Sequence, residues 1–496
     1  MKAIVNLTTK NFVFSSLLLI PAASYASLLD FQGNYASELE ERAAISNQQA
    51  YDELKAQGCQ DNDRAATASC SGTTFIVWNN VRELVHTAND LSNNGQPTAY
   101  SLGLGLEGLG FSLRWTAGEE FSSEGSMSNS FVSGQLSGLS SRISALRSGA
   151  SGFNLSGIGY NDNDIAMGYD NNKRSGNNAG DDMIDAWSRW GGFLNGSYTY
   201  GNQEASELED AFDFDGNEIN GGIDYRIDNN WVVGALVGYQ KQEINFDSSK
   251  SIVDGGVEMD AYSILPFVLY QSDQWYYSAS LGYQRAEFDT NRSIRYPSLN
   301  PDTDSTDTVA TSTNSADIFS SSLTAGYSFF LNQSLSFEPS VTVNYQDITI
   351  EEYSEEDISN DGFNFNVEEQ HIESLETVAN LKLQYVISSR YGVFIPYADI
   401  GFYAQHHTDP EVIYATYGDA SAQLSADSKF ALPTDSTDGD YKIYTIGLSS
   451  VIRGASQDTF GAAASGGIQV YVNYREIKDI GNYQQKIIAG GLRYEF

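Results

Sequence analysis

Basic residues are scarce in this 496-residue sequence: 27 Lys and Arg face 65 Asp and Glu, a formal charge of −38. That balance excludes nucleic-acid binding, because a phosphate backbone is gripped by a surplus of cations. Long apolar runs are missing too. After the N-terminus no stretch reaches the ~18 residues of a membrane-spanning helix, and mean hydropathy is −0.34. Only 9 prolines occur, against 45 glycines and 31 tyrosines, and 41% of residues are hydrophobic. A disordered acidic chain would be poorer in aromatics.

Catalytic and metal-binding residue types are also sparse. The histidines are His86, His371, His406 and His407, and no Gly-x-Ser-x-Gly elbow occurs. His406-His407 with Asp409 imitates a base-and-carboxylate pair, but adjacent residues of a strand point oppositely, so one histidine at most would face a site. The two acidic runs, Asp302, Asp304, Asp307 and Asp435, Asp438, Asp440, lack the spacing and terminal Glu of a calcium loop. They read as solvated loops. No enzymatic activity, metal or cofactor is expected. Two cysteines, Cys59 and Cys70, lack the two-plus-two ligand spacing of zinc and have no neighbouring histidine, so a disulfide closing a short loop is expected.

Such a bond needs an oxidising compartment, and the first 26 residues supply the route. Lys2 and Lys10 precede or flank an apolar core, Phe12 to Ile20, followed by the small-x-small site Ser24-Tyr25-Ala26. This is the pattern of a secretory signal peptide, residues 1–26, cut after Ala26.

From Trp190 onward the chain alternates. Leu335, Phe337, Pro339, Val341, Val343 and Tyr345 share one face of a strand, and Ser336, Glu338, Ser340, Thr342, Asn344 and Gln346 share the other. Twelve such strands can be placed, among them Asn220 to Ile227, Trp275 to Arg285 and Phe319 to Leu331. Connections such as Asp228-Asn229-Asn230 are short, whereas Glu351 to Ile372 and His406 to Asp440 are long and acidic. Short turns at one end and long loops at the other, in strict alternation, predict an all-β transmembrane barrel of about 12 antiparallel strands. The sheet must close, because lipid satisfies no backbone group. Trp231, Trp275, Tyr276, Tyr277 and Tyr391 cluster beside the short turns, where an aromatic girdle belongs. Pro266, Pro339 and Pro396 sit inside predicted strands and suggest edges or bulges. Arg226, Arg285, Lys382, Arg475 and Arg493, with Glu338 and Glu495, are expected to face the lumen.

The last strand carries Leu492, Tyr494 and Phe496 on one face and resembles the signal read by the outer-membrane barrel-assembly machinery, which implies a Gram-negative envelope. Trp190-Gly191-Gly192-Phe193, Phe212-Asp213-Phe214-Asp215-Gly216, Gly221-Gly222-Ile223-Asp224-Tyr225-Arg226 and Trp231-Val232-Val233-Gly234-Ala235 resemble the opening strands of the autotransporter (type V secretion) β-barrel domain. That resemblance covers residues 190–496. It implies a pore helix before the first strand, here about Asp181, Ile184, Trp187 and Arg189, with Trp187 at the pore exit. It also implies export of the preceding sequence, with the inner-membrane secretion machinery, outer-membrane lipid and lipopolysaccharide as partners. Asn171-Asn172 invites comparison with a self-cleavage site and equally fits a solvated linker.

The preceding residues 27–155 form a small, mainly α N-terminal region. Ala36, Leu39, Ala43, Ala50 and Leu54 recur at helical spacing, as do Val81, Leu84, Val85, Ala88 and Leu91. A third stripe, Val132, Leu136, Leu139, Ile143 and Leu146, is heptad-like and predicts either a partner-binding helix or packing within the chain. Leu102 to Trp115 alternates and predicts a hairpin or one bent strand. Residues 156–189 are a linker and the pore helix. The expected function is an outer-membrane translocator that exports and anchors its own N-terminal region at the cell surface. The rivals are a small-solute channel with an N-terminal plug or periplasmic domain, and a surface adhesin binding an unknown partner.

Overall fold

The computed structural model of the chain describes residues 27–92, 99–147 and 190–495, except 229, 247–252, 273, 333, 390–391, 408–410, 436–438 and 453–467. The signal peptide, Asn171-Asn172, Tyr391, Phe496 and the expected pore helix Asp181, Ile184, Trp187, Arg189 lie outside the described residues.

Twelve long strands form one closed antiparallel sheet: β1 Trp190–Gln203, β2 Phe212–Arg226, β3 Trp231–Phe246, β4 Gly255–Ser272, β5 Trp275–Tyr296, β6 Thr306–Tyr327, β7 Leu335–Ile350, β8 Gln370–Tyr385, β9 Gly392–Gln405, β10 Asp440–Ile452, β11 Ile468–Ile480 and β12 Tyr483–Glu495. Each pairs with its sequence neighbours, and β1 closes on β12 from Gly191↔Glu495 to Gln203↔Tyr483. No sheet edge is left for lipid.

The wall shows where the membrane lies. Outward residues of β5 run Trp275, Tyr277, Ala279, Leu281, Tyr283, then change to Arg285, Glu287, Asp289. The change falls after Tyr262 on β4 and after Tyr345 on β7, so one apolar belt circles the barrel. At its upper edge Tyr283 Oη donates to Asp317 at 2.7 Å and Tyr345 Oη to Glu373 at 3.3 Å. Rings in hydrocarbon and hydroxyls in the polar zone are the arrangement an interface favours. Trp231, Trp275 and Tyr277 are outward and exposed at the lower edge. Tyr276 is not part of that girdle. It is buried on the lumen side, because neighbours of an outward residue on a strand point inward. Arg285 likewise faces outward, pairing with Asp317 at 3.0 Å above the belt.

Two further expectations need correction. Turn lengths do not segregate strictly: residues 453–467 join β10 to β11 at the short-turn end, and Gly481-Asn482 joins β11 to β12 at the loop end. Pro266 makes no bulge, since β4 and β5 keep one register on both sides of it, from Ile264↔Tyr283 to Phe267↔Ser280. A single missing donor is tolerated where the ladder around it is long.

β4, β5 and β6 continue well beyond the belt and carry a head at the loop end. There α1 Glu38–Gln57, α2 Thr73–Ser92 and α3 Leu106–Trp115 pack together, and α4 Phe121–Arg147 leaves them for the lumen. Ser37 caps α1 through Oγ and Glu40 N–H at 3.3 Å, Glu38, Glu40 and Glu41 occupy the first turn, and Gly58 ends it at φ +120°. The Cys59–Cys70 disulfide ties the end of α1 to the approach of α2, and Tyr51 stacks on Trp78 at 4.9 Å. The hairpin expected over Leu102 to Trp115 is a helix from Leu106. Leu109 and Leu113 stand one turn apart and both are fully buried, so tertiary burial selected the helical period from a run that satisfied both.

Among the described residues, the long acidic loops carry strands of their own. Tyr353–Ser354, Phe365–Val367, Val412–Tyr417 and Phe430–Pro433 form a four-stranded sheet against the helices. Trp78, Leu113 and Phe121, Phe288 and Tyr296 of β5, and Phe365, Tyr417 and Phe430 of the loops belong to one buried cluster. Head, loops and barrel rim therefore share a core.

Candidate functional site in the barrel lumen

The lower part of the heptad-like stripe packs on the barrel wall, while Val132 at its upper end joins the buried cluster of the head. Leu139, Ile143 and Leu146 of α4 are buried with Phe193 of β1, Val232 and Leu236 of β3, Leu265, Phe267 and Leu269 of β4, and Tyr276 of β5. These inward apolar residues interrupt the polar lumen face and form the seat of the helix.

Polar contacts fix α4 at successive depths. Near the loop end Glu124 accepts from Thr290 Oγ1 at 3.2 Å and Asn314 Nδ2 at 2.9 Å. Midway, Gln135 Nε2 donates to Glu218 at 3.0 Å and Asn220 at 2.8 Å, while its Oε1 accepts from Ser263 Oγ at 2.7 Å. Gly134 permits this approach, since a Cβ there would lie 2.6 Å from Glu218 Oε2. Lower, Asp224 is held between Arg142 and Arg493, the second at 3.0 Å, with all three side chains buried. At the short-turn end Arg147 Nη2 donates to Glu338 at 2.7 Å and Ser328 at 2.8 Å, and its guanidinium lies 3.3 Å from the Tyr276 ring centroid. Lys382 reaches Ser144. The lumen expectations for Lys382, Arg493 and Glu338 thus hold: Lys382 and Glu338 meet α4 directly, and Arg493 pairs with Asp224 of β2, which Arg142 of α4 also holds.

The helix runs from the head at the loop end to the short-turn end, where β1 also begins. A lumen occupied by a helix that precedes β1 is the setting in which the Autotransporter beta-domain family profile matches residues 192–456. The chain belongs to the autotransporter β-domain family. This β-domain is a transport domain, not an enzyme fold, and its family and barrel place it in the outer membrane. Among solved structures, the translocator domain of the autotransporter NalP from Neisseria meningitidis is similar at 13% identity, covering 62% of this chain and 89% of that one, with a TM-score of 0.45. The β-domain of the Bordetella autotransporter Brka is similar at 14% identity, 62% and 99% coverage and a TM-score of 0.40. The AIDA-I transport unit from Escherichia coli is similar at 12% identity, 69% and 96% coverage and 0.35. No curated protein matches the chain. The autotransporter β-domain match stops before β11, yet β11 and β12 complete the ladder, with Leu492 and Tyr494 exposed on the outer wall.

Other candidate residues lie away from the lumen. His406 turns outward onto Thr377 Oγ1 at 2.8 Å. His371, Asp347 and Glu373 group on the outer wall above the belt.

Where the head meets the rim, acidic groups are buried. Arg292 forms a two-pronged pair with Glu355 at 2.9 and 2.6 Å, and Arg114 one with Glu119 at 2.7 and 3.1 Å. Burial pushes the Glu120 carboxyl up to about 8, despite nearby Arg292, and the Glu83 carboxyl up to about 8, helped by Asp304. Such groups hold protons in the folded state that the unfolded chain releases above about pH 4.5. Folding free energy from them is complete below that pH and is lost as pH rises to about 8. The guanidinium midpoint of the head should fall between about pH 5 and about pH 8, and Glu120→Gln with Glu83→Gln should flatten the fall. A midpoint that rises across this window would contradict the assignment.

Proposed function

We propose that this chain is an autotransporter that carries its own N-terminal region through the barrel and keeps it docked as a cap over the loop end. The observation that carries this reading is the path of α4. It passes through the lumen from a head at the loop end to the end where β1 starts, as a segment halted during outward passage would. The head does not resemble a cargo poised for release, because Trp78, Leu113 and Phe121 share their core with Phe365, Tyr417 and Phe430 of the loops. Burial of that core on the far side would draw the chain outward and oppose return. The loop end then faces the exterior, and α4 remains as the anchor.

An epitope inserted between Ala65 and Ala66, both exposed in the disulfide loop, should bind antibody on intact cells. It should remain with the membrane fraction after washing. An epitope reached only after the outer membrane is opened would overturn the proposal, as would recovery of the head free in the medium.

A further inference from the structure

α4 fills only part of the lumen. Between it and the opposite wall lies a cavity of about 660 Å³, lined from Glu207 and Asn482 at the loop end to Gln384 and Ser449 near the short-turn end. Its two sides differ in chemistry. The helix presents Ser133, Ser137, Ser140 and Ser144, together with Leu136, Leu139 and Ile143. The barrel presents Tyr397, Asp399, Tyr471, Asn473 and Arg475 from β9 and β11.

The two tyrosines lie against the wall because glycines stand beside them. Tyr397 pairs with Gly447 of β10, and a Cβ on that glycine would fall 2.4 Å from the Tyr397 ring. Tyr471 pairs with Gly491 of β12, where a Cβ would fall 2.3 Å from its ring. Each ring rests on backbone, so its other face is turned to the cavity. Asn473 Nδ2 donates to Tyr397 Oη at 3.2 Å and ties the two strands' polar groups together.

The charges along the cavity are mixed. Arg147, Lys382 and Arg475 stand against Glu338, Glu376 and Asp399, and Glu207, Glu209, Glu218 and Asp435 add further negative charge, so the lining disfavours an anion. An apolar solute would strand hydroxyls, amides and carboxylates without partners. A neutral solute rich in hydroxyl groups suits these polar walls, its weakly positive C–H faces resting on the negative face of an aromatic ring. The volume is in the usual range of ligand sites, and it suits one or two sugar rings.

We propose that the lumen beside α4 is a binding and passage site for a neutral mono- or disaccharide. Tyr397 and Tyr471 carry the ring faces, and Asp399, Asn473 and Arg475 take the hydroxyls. This site goes beyond the export reading and does not depend on which side of the membrane the head occupies.

The test uses the full chain, with glucose, maltose and the anionic sugar acid gluconate as probes. Calorimetry on the detergent-solubilised protein should give saturable millimolar binding of glucose or maltose, and liposomes bearing the protein should swell faster in these sugars than in gluconate. Tyr397→Ala combined with Tyr471→Ala should weaken binding at least about tenfold, with heat-dependent gel mobility unchanged. Ser137→Tyr, which alters only the helix side, should block swelling. Absence of saturable binding with both sugars would overturn the proposal. So would binding that survives the double substitution in an intact barrel, or gluconate passing as fast as glucose.

Discussion

Asp224→Asn is expected to weaken the hold of the barrel on α4 by about 3–5 kcal/mol, the usual effect of removing one member of a buried ion pair. Asp224 lies between Arg142 of the helix and Arg493 of β12, and all three side chains are almost fully buried. The amide is nearly the same shape, so packing is conserved while the carboxylate that two guanidiniums share is lost. At this depth the wall offers little water to replace it. In planar bilayers the variant should show larger and noisier conductance than the parent, as the helix spends time off its seat. Adding Arg142→Met and Arg493→Met should restore the low conductance, since a pair replaced by apolar groups of similar volume costs little. Conductance unchanged in Asp224→Asn would show that the apolar seat alone holds the helix.

Phe121→Ala should be the most damaging single change in the head, at about 3–5 kcal/mol for a fully buried phenylalanine. Its ring is fully buried and meets Tyr353 and Phe365 edge-on at 6.1 and 6.0 Å. Because helices, loops and strand extensions contribute to one cluster, the loss should spread. Limited proteolysis of the variant should release fragments from the long loops, 351–372 and 406–440, along with α1 and α2. If only the helices became sensitive, the head would be an independent unit that merely touches the loops.

The barrel was legible because lipid imposes its pattern on every strand. A residue that faces hydrocarbon must be apolar and its neighbour faces water, so alternation alone located twelve strands. It underestimated their length. β5 was expected to end at Arg285 and continues to Tyr296, because the alternation that marks lipid ends at the upper girdle while the hydrogen-bonded ladder does not. The loop sheet also left a trace, in the spacing of Phe363, Phe365 and Val367 and of Ile413, Ala415 and Tyr417. Acidic neighbours masked it, and strands of two to six residues carry little periodic signal.

The sequence by itself determined that a barrel stands in a membrane, which turns face which end for most of its connections, and that Cys59 and Cys70 pair. These follow from local rules: period two, turn length and redox compartment. Only the tertiary structure decided what fills the lumen. Val132 to Leu146 has a helical stripe that would suit another helix as well as a curved wall, and Val232, Leu236, Leu265 and Phe267 are inward residues that break the alternation without saying why. The two irregularities explain each other only when brought together across ~100 residues of chain, where burying both apolar faces against one another removes them from the water of the pore. The buried ion pairs then set the depth of the helix, a choice made by distances between strands that no local pattern contains.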